Sequence, residues 1–376
     1  MLGGSMVCEH FGQCGGCQIN ASYSLQLEQK VATYKQLFAG LVDDISVFSS
    51  PPEAFRARAE FRLHTQADRV YLSMNTYGKN NRVKITSCPI ILPHLMQKLS
   101  LLLESINAQD ILKHKLYGIK ILGSLSGESL ITLIYRHRLD ERWAEIAFKQ
   151  AQELSCHIIG RSKGQKYTLT QDFICETLKI HQKEYFYIQK EGAFSQPNPY
   201  INIQMIGFIL SYLETTSTKD LLEMYCGSGN FTIPLAKHFR KVFATEIVKS
   251  SIQTLCSNAM HNQITHITPA RLSGAETIAA LNFEREFFRL KGIDLRAFDF
   301  SHVLIDPPRS GIGDVGMLQF IGGFRHIIYI SCNPLTLAQD LNTLLKTHYI
   351  EHCAFFDQFP YTHHLECIVL MKRIQK

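Results

Sequence analysis

From about residue 200 onward the sequence alternates between short apolar runs and segments with helical spacing, and this rhythm limits the fold more than any other feature. Residues 202–215 read as a helix, 220–225 as a strand, 231–238 as a helix, 241–246 as a strand and 248–261 as a helix. Strands separated by helices are not joined by hairpins, so they run parallel with the helices packed over a doubly wound sheet. The apolar runs 302–305 and 326–331 extend that sheet. Residues 351–357 and 366–373 close it as an antiparallel pair.

Such sheets carry their chemistry at the carboxyl ends of the strands. Two motifs fall there. Asp306-Pro307-Pro308-Arg309 ends one strand, and Cys332 ends another just before Asn333-Pro334, which start a helix. A free cysteine is most often a small buried hydrophobe. At a sheet edge beside a helix N-terminus, however, backbone N–H groups favour the thiolate, so Cys332 is a candidate nucleophile expected to ionise readily.

The turn after the first strand, Glu223-Met224-Tyr225-Cys226-Gly227-Ser228-Gly229-Asn230-Phe231, joins strand to helix through two glycines. Glu246 closes the next strand, where an acidic residue commonly binds ribose hydroxyls. The third glycine of a dinucleotide fingerprint is missing, because position 232 is Thr. S-adenosylmethionine, which has no pyrophosphate to cradle, fits this loop better than NAD.

At 376 residues and 45% hydrophobic content, the chain can bury the cores of two or three units. It shows neither a run of eighteen apolar residues nor a signal-peptide pattern, which reads as a cytoplasmic protein without membrane contact. The eleven cysteines are then not a disulfide framework. Cys8, Cys14 and Cys17 form a C-x5-C-x2-C array interleaved with glycines, with Cys88 as the candidate fourth ligand. Residues 21–40 read as a helix with apolar spacing at Leu25, Leu27, Val31, Tyr34 and Leu37.

Between about 55 and 188 the pattern is α+β. Strands are expected near 56–64, 69–76, 116–123, 129–136 and 167–173, with helices near 92–106 and 140–154. Residues 51–190 hold 21 Lys+Arg against 13 Asp+Glu, while the rest of the chain is slightly acidic. That asymmetry points to a polyanionic partner, most simply nucleic acid. Arg56, Arg58 and Arg62 share one strand face by period-two spacing and could follow phosphates. Tyr117 and His137 are candidates for stacking and backbone contacts. Three units follow: 1–50, a cysteine-rich segment and helix; 51–190, an α+β RNA-binding domain; and 191–376, the doubly wound domain.

Taken together, Phe194-Ser195-Gln196-Pro197-Asn198, the 223–231 loop, 306–311, Ser331-Cys332-Asn333-Pro334 and the run from Asp357 to Glu366 resemble the RNA uracil-C5 methyltransferase family, in order, over residues 190–376. The resemblance implies a Rossmann-like class I methyltransferase domain. It implies Gln196, Tyr225, Asn230 and Glu246 as contacts of S-adenosylmethionine, and Asp306 as an active-site and cofactor-side carboxylate. Cys332 becomes the nucleophile and Glu366 the general base. Carbon 5 of uracil is a poor nucleophile until a thiolate adds at carbon 6, and a base must then remove the carbon 5 proton.

Iron–sulfur-bearing members of that family imply a [4Fe–4S] cluster on Cys8, Cys14, Cys17 and Cys88, with structural zinc as the alternative. The wording of 357–364, of 288–295 and of the Phe55–Arg62 run looks most like the branch that makes 5-methyluridine in the T-loop of tRNA. The cysteine array is more familiar from the ribosomal-RNA branch, which leaves 23S rRNA as the alternative substrate. Two other classes stay open at this point, a non-catalytic RNA-binding factor and a redox protein. The expectation is a monomer.

Overall fold

The structure, a computed structural model, describes residues 6–76, 81–213 and 218–375. The alternating half of the chain supplies seven strands of an eight-stranded sheet, and Ser46–Phe48 adds the eighth at its edge. Its strands lie in the spatial order Ser46–Phe48, His348–Phe356, Glu366–Arg373, His326–Ser331, Phe300–Ile305, Asp220–Met224, Val242–Glu246 and Ile267–Arg271. Only Glu366–Arg373 runs antiparallel to its neighbours. The order reverses between Asp220–Met224 and Phe300–Ile305, and this topological switch point opens a crevice at the strand ends.

Both faces of the sheet are covered. Leu221, Leu304, Ile328, Ile330 and Phe356 pack under the helices Pro199–Tyr212 and Lys249–His261. Their strand neighbours Leu222, Val303, Ile327, Tyr329 and Phe355 pack on the other side with Leu337 and Leu341 of the helix Pro334–Leu344. Burial on both faces is why these strands read as continuous apolar runs. Each fully buried Leu, Ile or Phe contributes roughly 1.5–3 kcal/mol.

The middle of the chain forms a seven-stranded sheet in the order Arg82–Lys84, Arg69–Asn75, Arg58–Gln66, Leu116–Gly123, Ser129–Tyr135, His157–Ser162, Gln165–Thr168. The helices Pro93–Ala108 and Glu141–Glu153 bury Leu95, Leu99, Leu102 and Trp143 against it. A separate hairpin, Phe173–Ile180 with Lys183–Lys190, leads into the larger sheet's first helix. The single strand expected near 167–173 is thus two strands broken at 169–172. The helix expected over 202–215 is Pro199–Tyr212, and its expected end lies outside the described residues. Among the described residues no helix is long and apolar enough to cross a membrane.

The N-terminal helix keeps Leu27, Val31, Tyr34 and Leu37 partly buried on its expected face but buries other residues more deeply. Tyr23–Lys35 buries Tyr23, Gln26 and Lys30, while Leu25 is 45% exposed. Its inward stripe is polar because it lies against the segment 357–364, whose backbone and carboxylate need partners.

Candidate active site

Strand pairing, rather than sequence spacing, brings the thiol to its partner. The antiparallel register ends with Ser331 opposite Cys367, so Cys332 and Glu366 flank its last pair, close enough for the Glu366 charge to act on the thiol. Helix formation fixes the first of these. Asn333 caps the helix Pro334–Leu344 by accepting from the Leu335 N–H, and Pro334 occupies its first turn. The Asn333 amide also donates to the Arg309 carbonyl at 3.2 Å, which ties the Asp306–Arg309 loop to the cysteine turn. Asp306 follows the neighbouring strand, where Ile305 pairs with Tyr329.

Three carboxyl groups shape the electrostatics, Glu223 and Glu366 buried and Asp306 half-buried at the cavity wall. Burial, with Asp306 adding repulsion, pushes Glu366 up to about 8. Burial pushes Asp306 up to about 7. Glu223 rises to about 8, again mainly through burial with Asp306 contributing, and its Oε2 is enclosed without a hydrogen-bond partner. The expectation of a readily ionised Cys332 is overturned: burial first, then the charges of Glu366 and Asp306, push the thiol up to about 11, and Arg309 opposes them only in part. Desolvation and two carboxylates outweigh one helix N-terminus.

Beside this group opens a cavity of ≈ 110 Å³ lined by Gln196, Tyr225, Asn230 and Asp306, together with Ser228 and Asn258. The loop around it needs its glycines. Gly227 and Gly229 have φ of +53° and +90°, and a Cβ on Gly229 would stand 2.4 Å from Leu255 Cδ1. Asn230 exchanges two 2.8 Å hydrogen bonds with Asn202, and Gln196 accepts from Gln358 Nε2 at 2.8 Å. The Glu246 carboxylate accepts from the N–H groups of Val248 at 2.8 Å and Gly227 at 3.3 Å, which places it against the glycine turn that lines the cavity. Sequence reasoning quoted Glu223 within its motif without giving it a role. Its signal was available, a carboxylate inside an otherwise apolar strand.

Cys8, Cys14, Cys17 and Cys88 meet at a second cavity of ≈ 260 Å³, walled by Phe11, Phe61 and Ile85. Burial, reinforced by the neighbouring sulfurs, pushes Cys17 up to about 12; burial above all pushes Cys88 up to about 11. The Gly16 N–H points at Cys14 Sγ at 3.4 Å. The four cysteines are soft donors, whose thiol protons a sulfur-ligated metal group would displace. Among the described residues, however, no three His, Cys, Asp or Glu side chains are grouped as a metal ion requires.

The arginine stripe is not continuous. Arg56 precedes the strand and faces the cysteine cavity, with Nε donating to the Arg58 carbonyl at 2.9 Å. Arg58 turns to the carbonyls of Ala193 and Ser195, at 3.1 and 3.3 Å, because the chain here crosses between the two sheets. Arg62 alone stays on the open face, 4.4 Å from the Tyr117 ring centroid, with Arg136 4.1 Å from the same ring. His137 packs edge-on to His114 and Tyr135 beside them.

Residues 22–374 match the family described as tRNA (Uracil-5-)-methyltransferase. A tRNA/tmRNA (uracil-C(5))-methyltransferase of Helicobacter hepaticus is 48% identical over 99% of this chain and 100% of its own length. One of the same name from Wolinella succinogenes is 43% identical over 98% of this chain and 100% of its own length. Among solved structures, the Pyrococcus abyssi tRNA (uracil-54, C5)-methyltransferase in complex with S-adenosyl-L-homocysteine superposes with a TM-score of 0.72. It is 21% identical, covering 96% of this chain and 85% of that one, and it shares the fold.

Proposed function

Because the chain belongs to the tRNA (uracil-5-)-methyltransferase family, we propose that Cys332 and Glu366 are the nucleophile and base with which it methylates carbon 5 of a uridine in tRNA. The enzyme is S-adenosylmethionine-dependent. The register that ends beside Cys332 and Glu366, with the Glu366 charge felt by the thiol, is the observation that carries the assignment. The residues lining the ≈ 110 Å³ cavity suit the methyl donor: a carboxylate for its cationic end, amides for its polar edges and an open glycine turn. Bound there, S-adenosylmethionine supplies the electrophilic methyl that carbon 5 takes.

Once ionised, Cys332 adds to carbon 6 and the ring's electron pair moves to carbon 5. After carbon 5 has gained its methyl group, Glu366 removes the proton on that carbon. The electrons of the broken C–H bond restore the double bond and expel the Cys332 thiolate. The target base must leave its stack to reach the thiol, because Cys332 is half-buried at the end of a strand. Asp306 lines the cavity and raises both neighbours, which suits a residue that orients cofactor or base.

The T-loop uridine is the reading of the target we favour over 23S rRNA, since relatives aligned along their full length carry tRNA/tmRNA names. Arg62, Tyr117, Arg136 and His137 offer a stacking and phosphate-binding surface, and Arg58 with Lys190 lines the cleft between the two sheets. For the cysteine cavity we favour a [4Fe–4S] cluster, with zinc as the alternative, because a cavity of ≈ 260 Å³ lined by four cysteines suits an occupant larger than one ion. Its role would be structural, since the methyl transfer moves no net electrons.

Labelled S-adenosylmethionine and unmodified tRNA test the reading. Transfer to carbon 5 of one T-loop uridine is expected, with Cys332→Ala binding tRNA but transferring nothing. Full activity in Cys332→Ala would refute the mechanism.

A further inference from the structure

Glu366 is reached through the segment 357–365, which leaves the strand His348–Phe356 and ends at the base. Asp357, Gln358, Tyr361 and Leu365 within it are buried to 1% exposure or less. Tyr361 has φ of +62°, a backbone conformation that a bulky side chain adopts only when its surroundings impose it. The N-terminal segment supplies those surroundings. The Tyr361 N–H donates to Gln26 Oε1 at 3.1 Å, and its carbonyl accepts from the N–H groups of Gln18 and Ile19 at 2.7 and 3.0 Å.

Lys30, itself 4% exposed, spans the whole segment. Its ammonium reaches Asp357 Oδ1 at 2.5 Å, the Phe359 carbonyl at 3.0 Å and the His364 carbonyl at 3.1 Å, which uses all three protons. One turn before it, Gln26 Nε2 donates to the other Asp357 oxygen at 3.1 Å. One turn after it, the Tyr34 hydroxyl donates to the His363 carbonyl at 2.8 Å. Residues 26, 30 and 34 form one row of the helix by i, i+4 spacing, and that row grips the segment at its start, middle and end.

A buried ion pair is a poor means of stabilising a fold, because apolar residues of the same volume often serve as well or better. It is a good means of fixing geometry, because each contact has a direction. We propose that Lys30 is a positioning residue for Glu366: by clamping the 357–365 segment it sets where the base stands relative to carbon 5 of the nucleotide held by Cys332. The proposal rests on the assignment of Glu366 as base.

The two chemical steps separate this role from general support of the fold. Attack by Cys332 does not need the base to be in place, whereas proton removal and release of the thiol do. Loosening the clamp therefore traps the enzyme as a covalent protein–tRNA adduct. Lys30→Met is mixed with S-adenosylmethionine and unmodified tRNA, and the adduct is read on a denaturing gel beside Glu366→Gln. Because Lys30→Met leaves Asp357 without its cation, Lys30→Met/Asp357→Leu is run as well, and Tyr34→Phe removes only a hydroxyl from a part-exposed ring.

The expected result is adduct accumulation in the Lys30 variants, approaching that of Glu366→Gln, and a smaller amount in Tyr34→Phe. Turnover falls at least tenfold in the Lys30 variants while KM for tRNA stays within twofold. Adduct in Glu366→Gln but none in Tyr34→Phe or in whichever Lys30 variant folds would overturn the positioning role alone. Absence of adduct in Glu366→Gln itself would overturn the base assignment and this proposal with it.

Discussion

Methyl transfer should depend steeply on pH in the acid range, because the site holds both of its working groups protonated at neutrality. Glu366 stands at about 8 and Cys332 at about 11. Cys332 must lose its proton before the methyl can move, and kcat/KM, which covers the steps through that irreversible transfer, reports the thiol of the free enzyme, whereas Glu366 acts afterwards and enters kcat. The ionised fraction of a thiol at about 11 grows tenfold with each unit of pH below that value, so kcat/KM rises by about that factor per unit. The limb is therefore ~10-fold per unit below pH 8, with an apparent value that reflects the coupling of the thiol to Glu366 and Asp306. The assay is transfer of labelled methyl to unmodified tRNA at limiting tRNA from pH 6 to 9.5. Asp306→Asn removes a negative charge that raises both groups, so its acid limb should move to lower pH even if its absolute rate falls. A profile flat between pH 6 and 8, or a limb that Asp306→Asn moves upward, would refute the reasoning.

Binding of S-adenosylmethionine should expel protons near pH 7, because a cation brought beside Asp306, which lines the cavity, lowers a carboxyl group now at about 7. Calorimetry in two buffers of different ionisation enthalpy measures this, with release expected at pH 7 and fading above pH 9. Cys17→Ser should lower the iron and acid-labile sulfide of protein purified without oxygen, and elemental analysis showing zinc with no iron would instead select the alternative occupant of the cysteine cavity. Tyr117→Ala, which removes the ring shared by Arg62 and Arg136, should raise KM for tRNA ~10-fold, about one stacking contact, with kcat unchanged.

The large sheet was legible because its strands are buried on both faces and punctuated by helices. The edge strand Ile267–Arg271 was not, and Pro269 explains why. A proline without an N–H argues against a strand, yet at the rim of a sheet the missing donor faces no partner. The following helix Gly274–Leu281 did carry a signal, the capping box of Ser273 and Glu276. The strand Ser46–Phe48 is too short to show a period, and it exists only because His348–Phe356 offers an edge to pair with. At the site, the chemical types of Cys332, Asp306 and Glu366 could be read from motifs. Their ionisation could not, since it depends on how deeply the fold buries the thiol and how near it sets Glu366 and Asp306.

The N-terminal helix shows where such reading stops. Apolar spacing assigned its inner face to Leu25, Leu27, Val31, Tyr34 and Leu37; all but Leu25 pack partly against the cores, yet Gln26 and Lys30 are buried more deeply than any of them. Hydrophobic periodicity assumes that a helix docks to bury apolar surface. This helix docks onto a segment whose exposed carbonyls and single carboxylate must be satisfied, so the residues that matter are donors spaced four apart. A lysine at 4% exposure with three oxygen partners opposes the ordinary preference for charge at the surface. Local rules that fail in a folded protein mark places where something other than stability has shaped the sequence. Here the failure falls on the element that holds the path to Glu366, two turns of helix whose polar stripe makes sense only with the active-site segment laid against it.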